Sequence, residues 1–280
     1  MTTNGRIHPV TQPARPIRVG AVNYLNTKPL VYQFEKFAPH AELIFDLPSR
    51  LADRLASAEL DVALIPSIEF FQDPSYSILS DVCIGCRGPV LSVKLFSRVP
   101  MQAIRTLALD EGSRTSAALV QILLKQRFGL QPQLEALPIG ATIDQTNADA
   151  VLLIGDRAIH SPAGQFAEIW DLGDEWCRWS ELPFVFAMWT ARAGVDLQGV
   201  DVALGESRDA GLANLAEIAA KEAPQLGLTV PQCLAYLRDN LYFYLGQREQ
   251  QGLALFYQHA AELGLAPVGV DLGLSHCTNA

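Results

Sequence analysis

Residues 19–30, VGAVNYLNTKPL, place Asn23, Tyr24, Asn26, Thr27 and Lys28 in the short connection between a strand-like run and Pro29. Val19, Ala21 and Val22 suit a buried strand, and Pro29 suits a first helical turn, where no amide donor is needed. Asn26 or Thr27 could simply cap that helix. The connection also lies at the carboxyl end of a strand, where open α/β sheets bind ligands. Asn23 and Asn26 are therefore candidate hydrogen-bonding partners of a small molecule. A second polar turn, Ser113-Arg114-Thr115-Ser116, opens the clearest helical pattern in the chain. Free amides and the helix dipole there favour a carboxylate or phosphate, and Thr115 and Ser116 add hydroxyl donors. The alternative is a capped helix with no ligand. Gly155-Asp156 follows another apolar strand and is likewise a cap or a ligand contact. Ser92, in GPVLSV, is a lone hydroxyl on an apolar strand, either satisfied by its neighbours or facing a cleft.

Other chemistries lack their signatures. There is no G-x-S-x-G, Walker loop or G-x-G-x-x-G, and the five histidines show no metal spacing. Five cysteines, an odd number, suit no disulfide framework. Cys83 and Cys86 form a C-x-x-C, but Cys177, Cys233 and Cys277 are scattered singly. The surrounding runs YSILSDVCIG and PVLSVKLFS read as paired strands about a turn, not as a helix start that would lower a thiol pKa. These cysteines read as inert, and no metal or cofactor is expected. What remains is a binding protein, or an enzyme whose substrate is already close to reacting.

The elements that must hold these residues alternate between strand and helix, which points to parallel sheets covered by helices. Strand patterns cover 17–22, 41–47, 61–66, 106–110 and 148–156, with helix patterns at 29–37 and, capped by Ser49, from Arg50 onward. Ser113 is the expected N-cap of the helix that Gly129 ends. After the apolar strand in 181–192 the chain reads as helical over 203–222, 230–243 and 247–263, with Thr229 and Pro231 starting the second and Gly264 ending the third. The expected fold is α/β with two lobes about a central ligand cleft, the chain crossing near 97–101 and returning along 185–192. That gives a tail over 1–15, a discontinuous first lobe of 16–97 plus 191–280, and a second lobe of 98–190.

Composition narrows the partners. Of the 280 residues 49% are apolar and 18% charged, a soluble globular balance. A net charge of -9 with no Lys/Arg cluster argues against nucleic acid. No apolar run is long enough for membrane insertion. The start, MTTNGRIHPVTQPARP, has no apolar core of a signal peptide, so a cytoplasmic location is expected. A homodimer is left open.

Taken in order, VGAVNYLNTKPL, DVALIPSIEFF, GCRGPVLSVKLFS, SRTSAALVQILL, ADAVLLIGDRAI and LPFVFAMW resemble the motifs of the chorismate dehydratase family of the futalosine route to menaquinone. The resemblance runs from about residue 17 to 192 and more loosely through the C-terminal helices. It implies the two-lobed fold of type II periplasmic binding proteins and cofactor-free loss of water from chorismate to give 3-[(1-carboxyvinyl)oxy]benzoate. Asn26 and Ser92 fall on the family's two polar active-site positions and are the expected catalytic residues. Thr115 and Ser116 match its substrate-carboxylate region; Asn23 and Asp156 join them as substrate-binding candidates. Cys83 and Lys28 lie outside the pattern. The resemblance further implies that the substrate's own enolpyruvyl carboxylate takes the ring proton. The rivals are a solute-binding protein of the same fold, which the lack of a signal peptide disfavours, and the sister enzyme that forms 1,4-dihydroxy-6-naphthoate.

Overall fold

The computed structural model describes residues 15–160 and 164–274; the expected tail, apart from Arg15, and Cys277 lie outside them. Four strands come first: β1 (Ile17–Val22), β2 (Ala41–Asp46), β3 (Val62–Pro66) and β4 (Ser77–Cys86). Then follow β5 (Val93–Ser97), β6 (Thr106–Asp110), β7 (Gln133–Leu137), β8 (Ala150–Ile154) and β9 (Glu168–Asp171). Finally come β10 (Phe184–Ala191) and β11 (Tyr242–Tyr244). They form a six-stranded sheet of order β11-β4-β10-β3-β1-β2 and a five-stranded sheet of order β7-β6-β8-β5-β9. Every residue of β3, β8 and β10 is buried. Such unbroken apolar strands belong in a sheet covered on both faces, whereas the edge strand β2 is half-exposed throughout.

The lobe boundaries differ from the sequence expectation. β5 pairs antiparallel with β8 and β9, in the second sheet, and β10 pairs antiparallel with β3 and β4, in the first. The chain therefore crosses between Cys86 and Val93 and returns between Ser180 and Phe184, before the expected limits of 97 and 190. Neither strand contains a turn former and both are largely buried, so the sequence pattern gave no reason to prefer one sheet. The turn formers Gly88-Pro89 and Pro183 mark the crossings that occur. For the same reason β4 and β5 are not a hairpin; each pairs with strands distant in sequence.

Smaller departures concern helix ends. Residues 25–31 form a 3-10 turn rather than an α-helical start, followed by a short helix at Phe34–Phe37. Helix Pro48–Ala56 begins before Ser49, which is buried inside its first turn with Leu47 at the cap position. The 203–222 pattern divides at Asn214 into Val200–Ala213 and Leu215–Glu222. The 230–243 pattern is a helix at Val230–Ala235, a π-helical turn at Tyr236–Asn240, and then β11. Ser113, Thr229 and Gly129 cap where expected, Gly129 with φ 70°. Gly211 lets helix Val200–Ala213 sit on the 25–31 turn, since a Cβ there would lie 2.0 Å from the Pro29 carbonyl oxygen.

The lobes share one apolar cluster, running from Val19 and Val62 in the first sheet through Leu119, Ile122 and Leu123 to Leu152 and Ile154 in the second. Helix Arg114–Phe128 fills the space between the lobes, which is why Thr115 to Leu124 are almost all buried. A smaller cluster about Phe96, Leu137 and Leu153 covers another part of the second lobe. At the far end of β3, Asp61 accepts from Arg15 at 2.9 Å, Arg18 at 3.0–3.2 Å and Arg192 at 3.0 Å. Burial pushes that carboxyl up, but the bonds from Arg18 and Arg192 outweigh it and hold it at about 2.

Candidate active site

β1, β3 and β8 end at one place. Val22, Pro66 and Ile154, their last residues, line a cleft between the lobes with about 530 Å³ of empty space, part of it open to solvent. This is the carboxyl-end crevice where α/β sheets take ligands. Asn26, Ser92, Thr115 and Ser116 all line it, together with Ser113. Val22, Tyr24, Pro48, Pro66, Ile84, Val90, Ile154 and Phe186 supply its apolar and aromatic wall. Among the described residues no charged side chain lines it.

The second lobe's contribution is a helix N-terminus. Ser113 Oγ accepts the Ser116 amide at 3.4 Å and donates to Ser116 Oγ at 2.7 Å, which leaves the Ser116 proton free. Thr115 Oγ1 accepts the buried amide of Ile68, from the first lobe, at 3.2 Å. Its own proton remains for a ligand. With the first-turn amides, which lack intrahelical acceptors, these hydroxyls can hold a carboxylate. Arg114 adds no charge to the cavity, because Asp53 at 2.9 Å and Glu69 at 3.1 Å take its guanidinium.

Ser92 precedes β5 rather than lying on it, and its backbone is clamped. Its amide donates to the Val90 carbonyl at 2.7 Å, and its carbonyl accepts the Gly155 amide at 2.8 Å. Leu91 just before it has φ 61°, a conformation a branched side chain rarely adopts and one that clusters at functional sites. Asp171 holds that bend by accepting the Val90 and Leu91 amides at 2.9 and 2.6 Å.

Asn23 and Asp156 do not line the cavity. Asn23 accepts from Lys28 at 3.2 Å on the exposed side, and Lys28 also pairs with Glu222. Asp156 instead accepts the Leu25 amide from the opposite lobe at 3.3 Å; burial pushes its carboxyl up, and that amide opposes the shift. Tyr24, beside Leu25, lays its ring on Gly155. A Cβ at Gly155, where φ is 67°, would come within 3.1 Å of that ring. Burial, with Asp110 next, pushes the Tyr24 hydroxyl up to about 12. The 24–25 corner is thus docked on residues 155–156, and Asn26 follows it directly.

Tyr24 and Phe186 line the cavity without being among the expected site residues. Tyr24 stands within the polar turn and could have been found there, whereas Phe186 in an apolar strand looks like any core residue. Cys83 and Cys86 are buried, and burial is the first cause that pushes the Cys83 thiol up, as an inert cysteine requires. Among the described residues no His, Cys, Asp and Glu group could hold a metal, and no helix is long and apolar enough to cross a membrane.

Solved structures share this architecture. A protein of Archaeoglobus fulgidus superposes with TM-score 0.68 at 17% identity, covering 90% of this chain and 99% of that one. The alkanesulfonate-binding protein SsuA of Xanthomonas axonopodis pv. citri, bound to MOPS, superposes with TM-score 0.62 at 13% identity, covering 94% and 98%. The fold is that of the periplasmic binding proteins, two lobes about a ligand cleft. The chain belongs to the menaquinone biosynthesis family, which it matches over residues 17–262. It is 32% identical over 274 residues to the chorismate dehydratase of Thermus thermophilus, covering 91% of this chain and 98% of that protein.

Proposed function

We propose that this protein is a chorismate dehydratase, a carbon–oxygen lyase that removes water from chorismate to give 3-[(1-carboxyvinyl)oxy]benzoate in the cytoplasm, without metal or nucleotide. The observation that carries the reading is the meeting of Asn26, Ser92, Thr115 and Ser116 in one cavity, in a chain with a full-length dehydratase relative. Thr115, Ser116 and the helix N-terminus hold one substrate carboxylate. Asn26, from the first lobe, and Ser92, from the second, bond the ring substituents and the departing hydroxyl. The ring loses a hydroxyl and a proton as water, and aromatisation drives the reaction forward. The protein's task is then orientation and hydrogen bonding to developing charge, for which hydroxyls and an amide in a largely apolar cavity suffice. The nearby carboxylates are engaged elsewhere: Asp110 on Arg157 and the Gly112 amide, Asp156 on Leu25. That accords with a substrate carboxylate acting as the base.

Incubation with chorismate in chelator-treated buffer tests the reading. An aromatic product should form with no release of pyruvate. Pyruvate release, a requirement for added metal, or tight binding without turnover would each overturn it, the last in favour of a solute-binding protein.

A further inference from the structure

Behind Ser92 lies a tyrosine that the proposed chemistry does not use. Tyr236 is 2% exposed, and its hydroxyl is fully buried with no hydrogen-bond partner among the described residues. Ser92 is close enough to bear on its ionisation, yet no hydrogen bond joins the two hydroxyls. Buried hydroxyls without partners cost stability and are rare, so such a group calls for an explanation. Burial also pushes the Tyr236 hydroxyl far up, so it keeps its proton. Its backbone is unusual too. Tyr236 opens the π-helical turn Tyr236–Asn240, a rare form that recurs at functional sites. At the other end of that turn Asn240 donates to the Pro89 carbonyl at 2.9 Å, within the segment that carries Ser92. The turn is thus bonded to the Ser92 segment at its Asn240 end and brings Tyr236 near Ser92 at the other.

We infer that Tyr236 is a positioning residue for the proposed reaction: its hydroxyl donates to Ser92 Oγ when substrate fills the cavity, and so turns the serine's own proton toward the substrate. The Ser92 backbone is fixed on both sides, by Val90 and Gly155, so its hydroxyl is the part left free to turn. A donor behind it occupies one lone pair and leaves the cavity as the direction for the proton. No bond is made or broken by Tyr236. The inference rests on the dehydratase reading of the cavity.

The test is a double-mutant cycle on the full chain with Tyr236→Phe, Ser92→Ala and the pair. Tyr236→Phe keeps the ring and removes an unpartnered hydroxyl, so the melting temperature should not fall. Its kcat on chorismate should drop about tenfold, the worth of one such hydrogen bond, with KM little changed. The pair should be no slower than Ser92→Ala alone. Wild-type kcat in Tyr236→Phe, or losses that multiply in the pair, would overturn the inference. A wild type that leaves chorismate unchanged would instead sink the dehydratase reading. Calorimetric titration of the same four proteins with 3-hydroxybenzoate would then decide whether the two hydroxyls act as one unit: non-additive losses support it, and additive losses refute it.

Discussion

Asn26 separates structural from chemical use more cleanly than any other residue of the cavity. Its 3-10 turn has Tyr24 at the cap position with no side-chain cap bond, so Asn26 caps nothing. Among the described residues its side chain bonds only the neighbouring Thr27, whose Oγ1 donates to Asn26 Oδ1 at 3.3 Å. Losing that bond costs little, because an intramolecular hydrogen bond contributes about 0.5–1.5 kcal/mol net. A preorganised donor to a transition state in a water-poor site contributes about 10²–10³ in rate. Asn26→Ala should therefore lower turnover by that factor while the melting temperature stays nearly constant, as melts and turnover on one preparation would show. A rate that follows the folded fraction would deny Asn26 its role. Residues of this kind were legible because a polar side chain at the end of an apolar strand has few structural reasons to be there. Tyr236 was not legible. Within a helical pattern its ring is indistinguishable from core, and only the backbone π turn and the missing partner reveal it.

At the scale of elements, helix Arg114–Phe128 serves both lobes at once. Read from sequence, its first turn was a carboxylate site, and Thr115→Val would then cost affinity without stability. Structure adds a second duty, since Thr115 Oγ1 is the acceptor of the buried Ile68 amide across the cleft. Valine would leave that amide unsatisfied, at about 1–3 kcal/mol. Thr115→Val should thus lower the melting temperature as well as weaken binding of an aromatic carboxylate, the latter by about 1.5–3 kcal/mol for a bond to a charged group. Thermal melts and calorimetry check the two halves separately. An unchanged melting temperature would mean that the Ile68 amide finds another partner. The double duty could not be read from sequence because Ile68 is 47 residues away and donates through its backbone, which leaves no trace in residue type. The Ser113 and Thr229 caps, the Gly129 terminus and strands such as β1, β3, β6 and β8 were legible because their signals are local. The sheet to which β5 and β10 belong was not, because both lobes offered an apolar position for either.

The whole molecule carries a net charge of -9, yet the proposed substrate is a dianion. A protein that steered such a ligand by its field would surround the cleft with cations. Among the described residues the cavity lining has no charged side chain, and Arg114 is paired with Asp53 and Glu69, Arg157 with Asp110, and Lys28 with Glu222. Recognition then rests on short-range hydroxyls and amides, while the long-range field opposes approach. The two contributions answer differently to salt. Raising ionic strength from about 0.01 M to about 0.15 M shortens the screening length from about 30 Å to about 8 Å. That weakens the repulsion and leaves short-range hydrogen bonds inside the cavity nearly untouched. Affinity for an aromatic dicarboxylate should therefore hold or rise across this range, and association should quicken. Affinity for a neutral diamide of the same shape should be lower throughout and should not respond to salt. Calorimetric titrations at the two ionic strengths, paired with stopped-flow association rates, provide the measurement. If dicarboxylate affinity falls several-fold as salt is added, an unpaired cation enters the bound site, and the recognition built from Thr115, Ser116 and the helix N-terminus is incomplete.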